Sequence, residues 1–351
     1  MNNQMNNQIS IIKIGWLVVG LLFTLSYASY AQFVTIWKTD NPGVSQKNQI
    51  TIPGKGNYSI TWQEVGNTSN KGTAKGKNVT TITLPKAGIY KISIRGGLQQ
   101  IQFPRQDKSD QAKLLIIKQW GNIQWFSMED AFFGCNNMTC QATDAPNLTL
   151  VNSLSFMFAY CSKFNGKIGH WNTSNVTDIS GMFSGAKKFN QPIGQWNTSK
   201  VTDMRVTFAG AKAFNQSIGQ WNTGNVTSMR QTFEKATAFN QPIEQWNTGK
   251  VTQMVKMFRE AKAFNQPIGK WNTSQVKNMR GMFWEATAFN QSIEQWDVSN
   301  VTDMNAMFSG AQSFNQPIGK WNISKVTDMR YMFQDATSFK QDLSHWKQLK
   351  K

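Results

Sequence analysis

Tryptophan stands at residues 171, 196, 221, 246, 271, 296, 321 and 346, a step of 25 residues kept without slippage. Only tandem repetition of one structural unit gives such a series, so the chain must fold as copies laid against one another. Two phenylalanine series keep the same step, from Phe158 to Phe333 and from Phe164 to Phe339. Begun at its valine, the unit reads V-T-D-M-R-x-M-F-x-x-A-x-x-F-N-Q-P-I-G-x-W-N-T-S-x. The pattern reaches further back. Trp125, Met128, Phe132, Cys135 and Met138 fall on unit positions 1, 4, 8, 11 and 14 of a 26-residue copy, with Ile117 and Trp120 on positions 18 and 21 of a half-copy before it. The array therefore starts near Lys113.

Two periodicities share each unit. Val301, Met304, Phe308 and Ala311 follow the 3-4-3 spacing of one apolar helix stripe, and Thr302-Asp303 suits a helix N-terminus. Phe314–Ile318 reads as a short strand, kept short by Pro317, which donates no ladder hydrogen bond. The expected fold is thus an α/β solenoid of leucine-rich-repeat type over 113–351, with a short strand and a short helix in each 25-residue rung. Asn at position 15 (165, 190, 215, 240, 265, 290 and 315, then Lys340) is expected to form a ladder that satisfies loop backbone. The Asn-Thr-Ser sequons at Asn172, Asn197 and Asn272 read as turn chemistry.

Residues 32–104 have another composition. Runs rich in Thr, Ile, Val and Tyr (49–52, 58–62, 80–84 and 89–94), cut by Gly, Pro and Asn, predict a small all-β sandwich, with 105–112 as the linker to the array. Residues 1–31 read as a signal peptide: Lys13, an apolar run from Ile14 to Leu25, then Ser29-Tyr30-Ala31 at cleavage spacing. Gln32 stands where a lipid-anchored protein would have Cys. The expected location is secreted or cell-surface, and no membrane-spanning segment is expected.

The formal charge of +18 favours anionic partners. Residues 32–118 carry 13 basic and 4 acidic side chains (+9), residues 119–351 carry 23 and 15 (+8), and Lys13 supplies the rest. A binding surface should lie where the unit varies. Arg205, Arg230, Arg280 and Arg330 recur at position 5 in four of eight copies, with Trp284 and Tyr331 at positions that are normally small or polar. Guanidinium beside aromatic rings suits a protein or an anionic glycan, and no specific nucleic acid is expected. Catalysis lacks its ingredients. The two histidines, His170 and His345, stand seven rungs apart, so no active site, cofactor or metal site is expected. Cys135 and Cys161 share position 11, otherwise Ala, and read as small buried side chains; a disulfide among them and Cys140 is the alternative.

The unit resembles the BspA-like leucine-rich-repeat surface proteins of bacteria, whose W-[DN]-T-S-x-V-T-[DN]-M-x-x-M-F repeats also occur in mycoplasma lipoproteins. The resemblance implies a surface-exposed or secreted interaction and adhesion protein. Ala87–Arg95 resembles the closing strand of a PKD-type module, with Thr61-Trp-Gln-Glu-Val-Gly66 in place of that module's W-G-D-G-like signature. The alternative to a specific binder is a matrix scaffold that self-associates end to end.

Overall fold

A computed structural model describes residues 32–105 and 109–349, so the expected signal peptide lies outside the described residues. Six strands form among the described residues: β1 (Phe33–Lys38), β2 (Gln49–Glu64), β3 (Asn67–Thr83), β4 (Ile89–Ile101), β5 (Leu114–Gln119) and β6 (Thr139–Cys140). They make one mixed sheet in the order β3-β2-β4-β1-β5-β6, which corrects the expected two-sheet sandwich. The reason lies in the residues that read as strand breaks. Pro53, Gly54 and Gly56 sit inside the 16-residue β2, where the ladder to β3 absorbs them as a register shift between Pro53 and Asn57. Two short strand pairs become one long hairpin. Large residues of β2 lie over small ones of β3: a Cβ on Gly76 or Gly72 would come within 2.1 Å of the Tyr58 ring or 2.4 Å of the Trp62 ring.

Strand β5 joins the sheet to the array. It runs antiparallel to β1 on one side and parallel to β6 on the other, through Ile116 opposite Thr139 and Ile117 opposite Cys140. Phe33 of β1 closes the first rung, its ring 5.4 Å edge-on from Trp125 and 6.5 Å from Phe132. Just before β5, Asp110 and Lys113 are 0% and 1% exposed with Nζ 3.6 Å from Oδ1. Lys113 Nζ donates to the carbonyls of Ser45, Gln46 and Gln49, and Asp110 accepts from the Thr51 and Ser45 amides, so the pair pins the β1–β2 loop to the junction.

The array corrects the other half of the expected fold. Among the described residues, helix is confined to a 3-10 turn at Gln111–Lys113 and to α1 (Ser344–Leu349). No rung before the last contains one, and in none is there a helix over positions 1–11. Where a helix was expected, amides at positions 4, 6, 8 and 10 leave their own copy: Ile179, Gly181, Phe183 and Gly185 donate to Asp203, Arg205, Thr207 and Ala209 of the next rung at 3.2, 2.8, 2.9 and 2.6 Å. The alternate amides close four-residue turns, as from Met182 to Ile179 and from Ser184 to Gly181. An α-helix would direct every one of these amides to the carbonyl four residues back. The dihedrals agree. Position 6 has positive φ in Phe156, Val206, Gln231, Lys256, Gly281 and Tyr331, and position 10 in Tyr160, Gly185, Gly210, Lys235 and Gly310. A left-handed residue at every fourth place turns the chain and ends any helix. The 3-4-3 stripe is real, since Val301, Met304, Phe308 and Ala311 are all fully buried, but turns rather than a helix produce it.

The expected strand at Phe314–Ile318 is also absent, and among the full copies only the first has one at the corresponding place, β6; from Ser153 onward the rungs instead make one parallel bridge at position 3, as Asp178–Asp203 and Asp303–Asp328. Stacking of identical side chains does the rest. The rings of Phe208, Phe233, Phe258 and Phe283 follow one another at 5.6 Å. Trp196, Trp221 and Trp246 are at most 4% exposed, and each donates its indole N–H to an isoleucine carbonyl of the previous rung, at 3.1, 3.0 and 3.0 Å. The asparagine ladder forms: Asn190 Oδ1 accepts the Asn215 amide at 2.9 Å, and the series continues to Lys340, whose amide reaches Asn315 at 3.0 Å. Asn172, Asn197 and Asn272 each accept the amide two residues on, the turn chemistry expected of them.

Candidate binding cleft on the repeat array

Side chains at positions 5, 6 and 9 point out of the rung, so these positions decide the surface of the array. In the copy that begins at Val301 they are Asn305, Ala306 and Ser309, each 8% exposed. The neighbouring copies put Lys256, Arg280, Trp284, Arg330 and Tyr331 around them. Small residues in one rung between large ones in the next leave a cleft of about 320 Å³. Four of the six residues singled out by sequence, Arg280, Trp284, Arg330 and Tyr331, line it together. Arg205 and Arg230 lie on earlier rungs and do not line it.

The arginines are not equivalent. Where position 3 is Asp, the guanidinium folds back onto it: Arg205 on Asp203 at 2.6 Å and Arg330 on Asp328 at 2.8 Å. The Arg330 hydrogen bond holds the Asp328 carboxyl well below the usual carboxylate range. In the copies with Ser228 and Asn278 at position 3, Arg230 meets only the neutral Gln231 side chain, and Arg280 has no carboxylate partner among the described residues. Lys256 likewise has no ion pair among them. Arg280 and Lys256 are therefore the open charges of the cleft. Arg259 covers one face of the Trp284 ring at 4.1 Å and is held there by Glu234 and Glu260 at 3.0 and 3.1 Å.

Sequence reasoning missed Lys256 and the floor. The signal for the floor was present as the small residues at positions 5, 6 and 9 of the Val301 copy, a pattern shared with Ser180, Gly181 and Ser184 of the Val176 copy. It was invisible while those positions were assigned to a helix. The cleft contains neither histidine nor cysteine. Among the described residues no group of three or more His, Cys, Asp or Glu could hold a metal ion, and no helix is long and apolar enough to cross a membrane. Cys135, Cys140 and Cys161 are free thiols. Burial pushes Cys135 and Cys161 well up and Cys140 to about 11, so none is poised as a nucleophile.

These features define a tandem-repeat protein whose turns stack through backbone hydrogen bonds and ring columns. Four overlapping stretches, 126–227, 193–279, 216–313 and 267–351, match the family described as Mycoplasma protein of unknown function, DUF285, and the chain belongs to that family. No curated protein and no solved structure matches the chain.

Proposed function

We propose that this protein is a secreted or cell-surface recognition protein that works by binding rather than catalysis, and that it holds an acidic group of a host protein in the cleft of the array. The observation that carries this reading is the pair of unneutralised cations, Lys256 and Arg280, beside Trp284 and Tyr331 over a nearly buried floor. Tyr331 is 64% exposed, as a ring available to a partner would be. Aromatic and Arg side chains are the usual anchors of protein recognition. The resemblance of the repeats to BspA-like surface proteins supports an adhesive role, and the apolar run from Ile14 to Leu25, followed by Ser29-Tyr30-Ala31 at cleavage spacing, supports export.

The test is a binding panel of extracellular host proteins and acidic glycans against the full chain. Arg280→Gln with Lys256→Gln should weaken the bound partner at least about tenfold, the loss of about 1.4 kcal/mol expected of removed charge pairing. Unchanged affinity would remove the cleft from the reading, and a glycan as the bound partner would replace the protein. Surface digestion of intact cells checks location: a chain untouched by external protease would overturn export.

A further inference from the structure

A second hollow lies not on the array but on the outward face of the sheet, about 600 Å³ against about 320 Å³ for the cleft. We propose that this face of β2, β3 and β4 binds a linear acidic polysaccharide. The inference concerns a different part of the chain and stands independently of the cleft.

Register places the residues. Gln63 of β2 lies between Lys71 of β3 and Lys91 of β4; Thr61 lies between Thr73 and Ser93; Ser59 lies between Lys75 and Arg95. Side chains alternate along a strand, and the intervening residues Ile60, Ile92 and Ile94 are buried at 0–1% exposure. The first set therefore shares the other face, where all four cations are exposed. Two strand spacings of about 4.8 Å and four residues at about 3.3 Å give a rectangle of about 10 by 13 Å with Lys71, Lys75, Lys91 and Arg95 at its corners. Hydroxyls of Thr61, Thr73 and Ser93 cross its middle.

These charges are free. The described carboxylates of the region are engaged elsewhere: Asp40 with Lys38 at 2.8 Å, Glu64 with Lys86 at 3.0 Å, and Asp110 with Lys113 in the interior. Arg95 meets only the neutral side chain of Gln32. The four corners have no carboxylate partner among the described residues, in contrast to Arg205 and Arg330 on the array. An extended polyanion can bridge such corners, and hydroxyl and amide groups between them match the hydroxyls of a sugar chain. A single-stranded nucleic acid would need exposed rings for its bases. The rings of this hairpin, Tyr58 and Trp62, instead lie over Gly76 and Gly72 on the opposite face.

Heparin is the probe, measured against the full chain over a salt titration. Binding should weaken steeply with salt, as release of condensed counterions requires. The triple variant Lys71→Gln, Lys91→Gln, Arg95→Gln should bind heparin at least about tenfold more weakly with a shallower salt dependence. Its melting temperature should be unchanged, because these side chains are exposed. A control removes three exposed charges from the array, Lys167→Gln, Lys188→Gln and Lys212→Gln. That control should keep heparin affinity within about twofold, which separates a site from net charge. Equal losses in both triples would overturn the proposal. So would an unchanged sheet variant, or tighter binding of oligo(dT) or of phosphatidylserine vesicles than of heparin at the same salt. Arg280→Gln should leave heparin binding intact, so failure of the cleft and failure of the sheet face are read separately.

Discussion

The array and the sheet solve the same problem, satisfying backbone and burying rings, by opposite means. In the array the core contacts are repeated: Phe233 meets Phe208 and Phe258 at 5.6 Å on either side, as Phe258 meets Phe233 and Phe283. In the sheet nearly every contact is made once. Lys113 under the loop at Ser45 has no counterpart among the described residues, and Tyr58 over Gly76 is matched only once, by Trp62 over Gly72 in the same hairpin. Repetition spreads the load over many equal interfaces, whereas the unrepeated junction depends on a few residues. The charges follow the same division, since some array arginines are neutralised by an Asp that the unit supplies, while Lys71, Lys75, Lys91 and Arg95 of the sheet have no carboxylate partner among the described residues.

The largest effect should come from the junction. Lys113→Met leaves Asp110 buried without its cation, and breaking a buried pair in this way costs about 3–5 kcal/mol. Denaturant unfolding followed by tryptophan fluorescence would measure it. A loss under about 1 kcal/mol would mean that the junction is not where the two regions are fastened. Next comes the ladder. Asn215→Ala removes the acceptor of the Asn240 amide and of the Gln241 side chain, at 2.9 and 3.0 Å. It should cost about 1–3 kcal/mol, and the same change at Asn190 or Asn265 should cost nearly the same. Unequal costs would break the picture of equivalent rungs.

Gly210→Ala gives the sharpest test of how the rungs are made. The residue has φ of 70°, and a Cβ there would meet nothing closer than 3.6 Å, so its cost is conformational. In a helix the substitution would stabilise by about 1 kcal/mol; in a left-handed turn it should destabilise by about 1–2 kcal/mol. The sign alone decides between the two.

That same glycine shows how far the sequence could be read. The 25-residue step, the buried tryptophans and the asparagine ladder followed from recurrence, because a side chain that returns at a fixed step must stack on its own copy. Backbone conformation did not follow. A 3-4-3 apolar stripe is shared by a helix and by a coil of four-residue turns, and only the destination of the amides separates them. Glycine at position 10 in copies with Gly185, Gly210 and Gly310 was the available sign, weakened by Lys235, Glu260 and Glu285 holding the same positive φ in other copies. For the cleft, Arg280, Trp284, Arg330 and Tyr331 were visible as departures from the unit. What they surround was not, since a cavity depends on small neighbours one rung away.

The smallest effect tests the division of charge. Asp328 has its pKa depressed by the hydrogen bond from Arg330, so the contact is fully present above the unfolded carboxylate value of about 3.9. It is lost only as pH falls through the lower folded value. Because the pair is exposed, its share of stability is small. Between about pH 5 and 7 nothing in it should change, and the Asp328 carboxylate resonance should stay flat over that range and begin to move only in stronger acid. The sheet cations have no such partner, so their attraction for a sulfated ligand should show no step in the same acid range. A titration of Asp328 at an ordinary carboxylate value would mean that Arg330 is as free as Arg280, and the cleft would then carry three open charges instead of two.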